Sequence, residues 1–385
     1  MISDIKFIAH FPFTKRDYDR FGIELLQQQF RVEVLDCMPW LNPKSWDEFS
    51  NTIHTFPGYT PIYNMDSFEK VIAVKERAVA IDCFGYSSVY PRICQALRER
   101  GIMLAVCRMA LLPKVKMDLF RKLYFHYKRG VLVKLIINKL RSKIYIDINS
   151  RPPDIAILSG KDSLSYPRMQ HAEHIIWGHS FDYDLYLRYQ DRTGERCKQY
   201  AVFLDDYLAY HSDYAQTGIN PPVTEEDYYY RLNKFLKFFE SNTGYKVIFA
   251  AHPSSRYDLK PHLLDGREFV LGRTAELVRD AQIVFCHAST SLSFAVLWHK
   301  PLVFLTTDEL KRSWFGPSIA FFSNILHAPI VNMSCIDKLS IDMKVWMRIN
   351  ESYYAEYKEN FIKRSGSPEL PVWQIFSNYV RQNLK

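Results

Sequence analysis

The residues whose types and spacing suit chemistry fall in three short stretches. The first is Leu204-Asp205-Asp206-Tyr207, two adjacent carboxylates directly after the apolar run Tyr200-Ala201-Val202-Phe203. The second is Ala251-His252-Pro253-Ser254-Ser255, which follows Val247-Ile248-Phe249-Ala250. The third is His287-Ala288-Ser289-Thr290-Ser291, which follows Ile283-Val284-Phe285-Cys286. A carboxylate can take a proton or attack an electrophilic carbon. An imidazole N–H and clustered hydroxyls can hold an anion, a phosphate above all. Each stretch alone has a plain structural reading. Two acids after a strand form a solvated turn, and Ser289 or Thr290 caps a helix. Their shared placement is what points to a site.

That placement comes from the elements before them. Four to eight apolar residues bounded by polar or turn residues read as buried strands of a parallel sheet. A helical pattern follows each of the last two loops, strongest from Thr290 to His299. His252, Asp205, Asp206 and the Ser289-Thr290-Ser291 cluster therefore sit at carboxyl ends of strands, where open α/β sheets bind ligands. A helix opening at Thr290 would add free amides and make an anion site.

In their order and context over residues 200–305, these motifs resemble those of GT-B glycosyltransferases that use CMP-activated sugars: bacterial sialyltransferases, polysialyltransferases and Kdo transferases. The matching residues are His252-Pro253, Ser289-Thr290-Ser291 and Leu204-Asp205-Asp206-Tyr207. Tyr207 stands where the sialyltransferase acidic motif has Gly, which leaves Kdo-like and other ulosonic sugars open. The resemblance implies two Rossmann-like domains facing across a cleft, an acidic motif on the N-terminal domain and a nucleotide site on the C-terminal one. It implies nucleotide binding by His252, Pro253, Ser254, Ser289, Thr290 and Ser291. Asp205 or Asp206 becomes the catalytic carboxylate, with Asp205 the first choice, and His252 faces the leaving phosphate. Tyr207, Tyr210 and His211 lie in a loop rich in groups that recognise sugars. Arg256 is a partner for the donor's carboxylate or phosphate. The resembled fold works without a metal, no His/Asp ligand cluster stands out, and the CMP-sugar is a co-substrate, not a cofactor.

The implied reaction moves a CMP-activated eight- or nine-carbon ulosonic sugar (Kdo, sialic, pseudaminic or legionaminic type) onto a cell-surface glycan or lipid-linked acceptor of capsule or lipopolysaccharide. Two rival readings remain: a GT-B transferase using a UDP- or GDP-sugar, and a non-catalytic protein binding a membrane surface or nucleic acid.

At 385 residues the chain is long enough for two domains. The pattern divides it into an N-terminal acceptor domain over 1–216, a nucleotide-sugar domain over 217–345 and C-terminal helices over 346–385 that return to the N-terminal domain. The linker is Thr217-Gly218-Ile219-Asn220-Pro221-Pro222. Alternating strands and helices give the α/β class: strands over 5–10, 32–37, 78–83 and 103–106, and helices over 15–30 and 89–100. His10 and the Ser87-Ser88 pair fall at carboxyl ends in the first half. Thr224 and Asp227 form a capping-box-like start to a helix with the apolar stripe Tyr228, Leu232, Phe235, Leu236 and Phe239. There is no G-x-G-x-x-G and no P-loop sequence, which argues against dinucleotide and P-loop chemistry. Seven cysteines without C-x-x-C spacing suggest a reducing compartment and no structural zinc. No signal peptide and no apolar run long enough to span a bilayer are expected. The formal charge of +8 invites an anionic partner. Residues 114–143 concentrate it: ten Lys and Arg against Asp118 alone, among apolar and aromatic residues. This basic amphipathic insertion reads as a contact with an anionic inner membrane surface, which makes the protein cytoplasmic and peripheral; nucleic acid ranks last.

Overall fold

A computed structural model describes residues 2–73, 77–83, 90–109, 112–113, 127, 152–166, 168–190, 199–211, 214 and 219–384. The expected Ser87-Ser88 turn and, but for Tyr127, the basic insertion over 114–143 lie outside the described residues.

The chain forms two parallel sheets, each the core of a separate unit. The first has seven strands: β1 (Asp4–Ala9), β2 (Arg31–Asp36), β3 (Tyr59–Pro61), β4 (Ala78–Asp82), β5 (Met103–Arg108), β6 (Ile155–Leu158) and β7 (His174–Trp177), in the order β3-β2-β1-β4-β5-β6-β7. Its strands bury both faces. Phe7, Val34, Ile81 and Ile157 enter one core, and Ile8, Leu35, Ala80 and Leu158 the other. That two-sided burial is why β4, β5 and β6 read as nearly continuous apolar runs.

The second sheet has six strands: β8 (Tyr200–Leu204), β9 (Lys246–Ala251), β10 (Phe269–Leu271), β11 (Ile283–Cys286), β12 (Leu302–Thr306) and β13 (Ile330–Asn332), in the order β10-β9-β8-β11-β12-β13. Counting from β8, this is the doubly wound order 3-2-1-4-5-6. The helix Glu225–Thr243 covers it with the expected stripe, burying Tyr228, Tyr229, Leu232, Phe235, Leu236 and Phe239. Each such side chain contributes roughly 1.5–3 kcal/mol. Gly244, at φ 75°, ends that helix. Thr224 is the N-cap residue, but its hydroxyl makes no cap hydrogen bond, so the capping box does not form.

The division of the chain differs from the expected one. It falls at Asp184/Leu185, inside the helix Phe181–Tyr189, not at 217. β8 and the acids after it therefore belong to the nucleotide-domain sheet, paired with β9 and β11. A sheet edge left open at β9 and β11 needs a strand between them, and β8 supplies it. The return to the first unit begins at Asn360, not 346. Trp373, on the helix Val372–Asn383, packs against Phe7 at 5.3 Å and donates to Arg20 O at 2.9 Å. It also splits the helix expected over 15–30. A Cβ on Gly22 would lie 2.8 Å from the Trp373 ring, and Gly22 turns left-handed at φ 57° between Lys15–Arg20 and Ile23–Gln27.

Candidate active site at three strand ends

The three motifs lie on adjoining strand ends of one sheet. Asp205 follows β8, His252 follows β9 and His287 follows β11. The β8/β11 junction is the switch point of the doubly wound order, where the chain leaves the first strand in opposite directions.

The two acids hold the two flanking loops. Asp205 is 4 % exposed and accepts from Tyr207 N at 2.8 Å, Tyr257 Oη at 3.0 Å and His252 N at 3.3 Å. Asp206, partly exposed, accepts from Ala288 N at 3.3 Å and from the Ser289 side chain. One carboxylate thus reaches toward β9 and the other toward β11. Burial pushes the Asp205 carboxyl up to about 6, against the lowering effect of its hydrogen bonds. Burial pushes Asp206 up to about 7, with Asp205 as a like-charge neighbour adding to the rise.

The two acids differ in how they are held. Asp205, the first choice for chemistry, accepts three hydrogen bonds and braces the HP loop. Asp206 is the more exposed of the two by surface area, though burial still dominates its pKa. Asp205 also stands on the same unit as His252, not on an opposing domain.

His252 is oriented by its own loop. Ser254 N donates to its Nδ1 at 3.2 Å, and Ser254 Oγ lies 2.8 Å from the same atom. An amide can only donate, so Nδ1 is the acceptor and the neutral ring carries its proton on Nε2. The His211 ring sits 4.5 Å from the His252 ring. Pro253 is exposed and Ser254 partly so.

In the third loop, Ser289 is buried, Thr290 exposed and Ser291 partly exposed. Ser291 N donates to Ser289 Oγ at 3.4 Å. The helix here is Leu292–Leu297, six residues, and it opens two residues later than expected. An anion placed at this loop would meet its amides and hydroxyls more than a helix dipole. His287 is a fully buried structural residue. Its Nδ1–H donates to Leu305 O at 2.7 Å, and its Nε2 accepts from Tyr228 Oη at 2.8 Å. Burial lowers its pKa to about 4, so it is neutral.

Tyr207, in the place of the motif's Gly, adopts φ 49°. A bulky residue in the left-handed region is strained and persists only where its surroundings fix it. Asp205 holds its amide, and its buried ring packs 5.4 Å from both Tyr210 and Tyr257. Its Oη accepts from Arg256 N at 3.4 Å. Tyr210 is tied to Lys260, whose ammonium also pairs with Glu225 at 2.9 Å. The Arg256 side chain is exposed and pairs with Asp258 at 3.2 Å, so it is not gathered with the rest.

The residue missed in the sequence is Tyr257. It is 0 % exposed and joins Asp205 to Tyr229, whose Oη lies 3.1 Å from its own. A lone Tyr five residues past His252 carries no local signal of that role. Among the described residues no group of three or more His, Cys, Asp or Glu could hold a metal ion.

No family model matches the chain, and no curated protein matches it. Solved structures do. An S. aureus MnaA–UDP co-structure is 12% identical over 100% of this chain and 98% of that one, with TM-score 0.51. Acinetobacter baumannii MurG is 10% identical over 99% of each chain, with TM-score 0.49. CalG4, the calicheamicin glycosyltransferase, is 11% identical over 100% of each, also at 0.49. At such identities the likeness is one of fold. With the two parallel sheets, it gives two Rossmann-like domains of the GT-B type.

Proposed function

We propose that the chain is a glycosyltransferase and that its donor is a CMP-activated ulosonic sugar bound at the β8, β9 and β11 loops. The observation that carries this is the junction of the three motifs. Asp205 holds the His252 amide, and Asp206 holds the Ala288 amide, so acid, HP and Ser/Thr motifs form one constellation. In this reading the His252 Nε2–H and the hydroxyls of Ser289, Thr290 and Ser291 stabilise charge on the departing phosphate. Asp206 is the general base. Its pKa near 7 matches the range in which a base is both deprotonated and strong enough to take an acceptor hydroxyl proton. Tyr210 and His211 border the sugar, and Pro253 and Ser254 shape the phosphate loop. The acceptor is a glycan or lipid-linked saccharide of capsule or lipopolysaccharide type. The segment 114–143 would hold the enzyme at the inner face of the cytoplasmic membrane. Among the described residues no helix is long and apolar enough to cross a membrane.

A UDP-sugar is the rival donor, since the MnaA structure is a UDP complex. Calorimetric titration with CMP, UDP and GDP decides between them. The proposal expects CMP to bind at least tenfold more tightly than the other two. Preference for UDP would replace the donor and keep the reaction class.

A further inference from the structure

Arg108 ends β5, Leu158 ends β6 and Trp177 ends β7, and the three are lateral partners in register. Trp177 and Tyr166 both pack against the face of the first sheet that holds Leu158 and Val106. Arg108, two residues after Val106, points to that same face by strand alternation. Its guanidinium lies 4.7 Å from the Tyr166 ring centroid, and that of Arg364 lies 4.4 Å over Trp177.

Arg364 is carried there by residues 360–364. Its amide donates to Ser159 O at 3.3 Å, while Ser159 Oγ donates to Arg108 O at 3.1 Å. A Cβ on Gly160 would come within 2.2 Å of Asn360 O, so this strap is seated directly on the end of β6. Arg108 and Trp177 are two strand spacings apart, about 10 Å. Two guanidiniums, each over an aromatic ring at cation–π distance, therefore flank one strand end. Among the described residues neither pairs with a carboxylate, and Arg108 Nε is buried without a hydrogen-bond partner. Lys363, beside Arg364, is by contrast paired with Glu369 at 3.0 Å. A guanidinium stacked on a ring keeps its N–H fork for an acceptor in its own plane, and a forked pair of donors suits a phosphate.

We propose that Arg108 and Arg364 form an oxyanion subsite of the first unit that takes a diphosphate, the charged part of the acceptor. That the ligand is an acceptor rests on the glycosyl-transfer reading; that the two arginines bind diphosphate does not.

The test is calorimetric titration of the whole protein with inorganic pyrophosphate. Arg108→Gln and Arg364→Gln should each weaken binding about tenfold or more, the scale of a lost charged hydrogen bond. Arg108→Lys keeps charge and fold but not the fork, and should recover only part of that loss. CMP affinity should be unchanged in all three. Pyrophosphate binding unaltered in the Arg108→Gln/Arg364→Gln double variant would overturn the subsite. Inorganic phosphate binding as tightly as pyrophosphate would overturn the shared, two-arginine ligand. Failure of CMP to bind wild type would remove the donor reading and leave the pyrophosphate result standing.

Discussion

Replacing Asp205 with Asn separates the bracing acid from the reacting one. Asparagine offers one acceptor oxygen where the carboxylate offers two. With that oxygen placed on Tyr207 N, the NH₂ faces Tyr257 Oη, which can accept, and His252 N, which cannot. One buried N–H is left without a partner, at a cost of about 1–3 kcal/mol. The charge effect runs the other way. Burial raises the Asp205 carboxyl from 3.8 to about 6, a rise worth about 3 kcal/mol at 1.36 kcal/mol per unit. The folded protein holds this proton more tightly than the unfolded chain. Its contribution to stability is therefore complete below pH 4 and lost as pH rises through 6. Asparagine does not titrate, so the gap between wild type and variant should narrow by about 2 kcal/mol from pH 4 to pH 8. Urea unfolding of both proteins across that range measures it. The variant should be clearly less stable at pH 4 and close to wild type at pH 8. It should also bind CMP more weakly, because the His252 amide has lost its anchor. A gap constant with pH, together with unchanged CMP affinity, would refute the reasoning.

Other perturbations reach other parts of the account. His252→Ala should cost roughly 2–4 kcal/mol of transition-state stabilisation, a loss of about thirtyfold to a thousandfold in kcat, the usual scale for one preorganised donor; unchanged turnover counts against the phosphate role. Gly160→Ala must displace backbone at Asn360 and should destabilise by about 1–3 kcal/mol in thermal or urea unfolding; a neutral substitution would mean the strap is not seated there. Flotation with anionic liposomes should weaken with salt if residues 114–143 contribute about 1 kcal/mol per basic residue at the surface; equal binding to neutral liposomes contradicts that.

Much of the fold was legible because strands buried on both faces leave apolar runs, as β4, β5, β8, β9, β11 and β12 do, while β1 and β2 are broken only by Lys6 and Glu33. β3 and β13, three residues each, are too short to show a period. The unit boundary was not legible. Thr217-Gly218-Ile219-Asn220-Pro221-Pro222 carries every local mark of a linker, whereas the actual division lies inside a continuous helix without Gly or Pro. Sheet membership is a non-local property, and nothing within residues 200–204 says which neighbours they pair with. The same applies to the acids. Strand geometry shows that Asp205 and Asp206 diverge, but the hydrogen bond that Tyr257, 52 residues on, donates to the first has no local signal. The broken helix at Gly22 likewise depends on Trp373, from the other end of the chain. The motifs themselves were legible as types and positions, since each follows an unmistakable strand.

The most direct test of the central claim is nucleotide release by purified protein given CMP-, UDP- and GDP-sugars in parallel with a saccharide acceptor. The account predicts CMP release from a CMP-ulosonic sugar. It also predicts that Asp206→Asn abolishes that release while CMP still binds, because the base is gone and the phosphate loops remain. Release from no donor, or an Asp206→Asn protein as active as wild type, would contradict it.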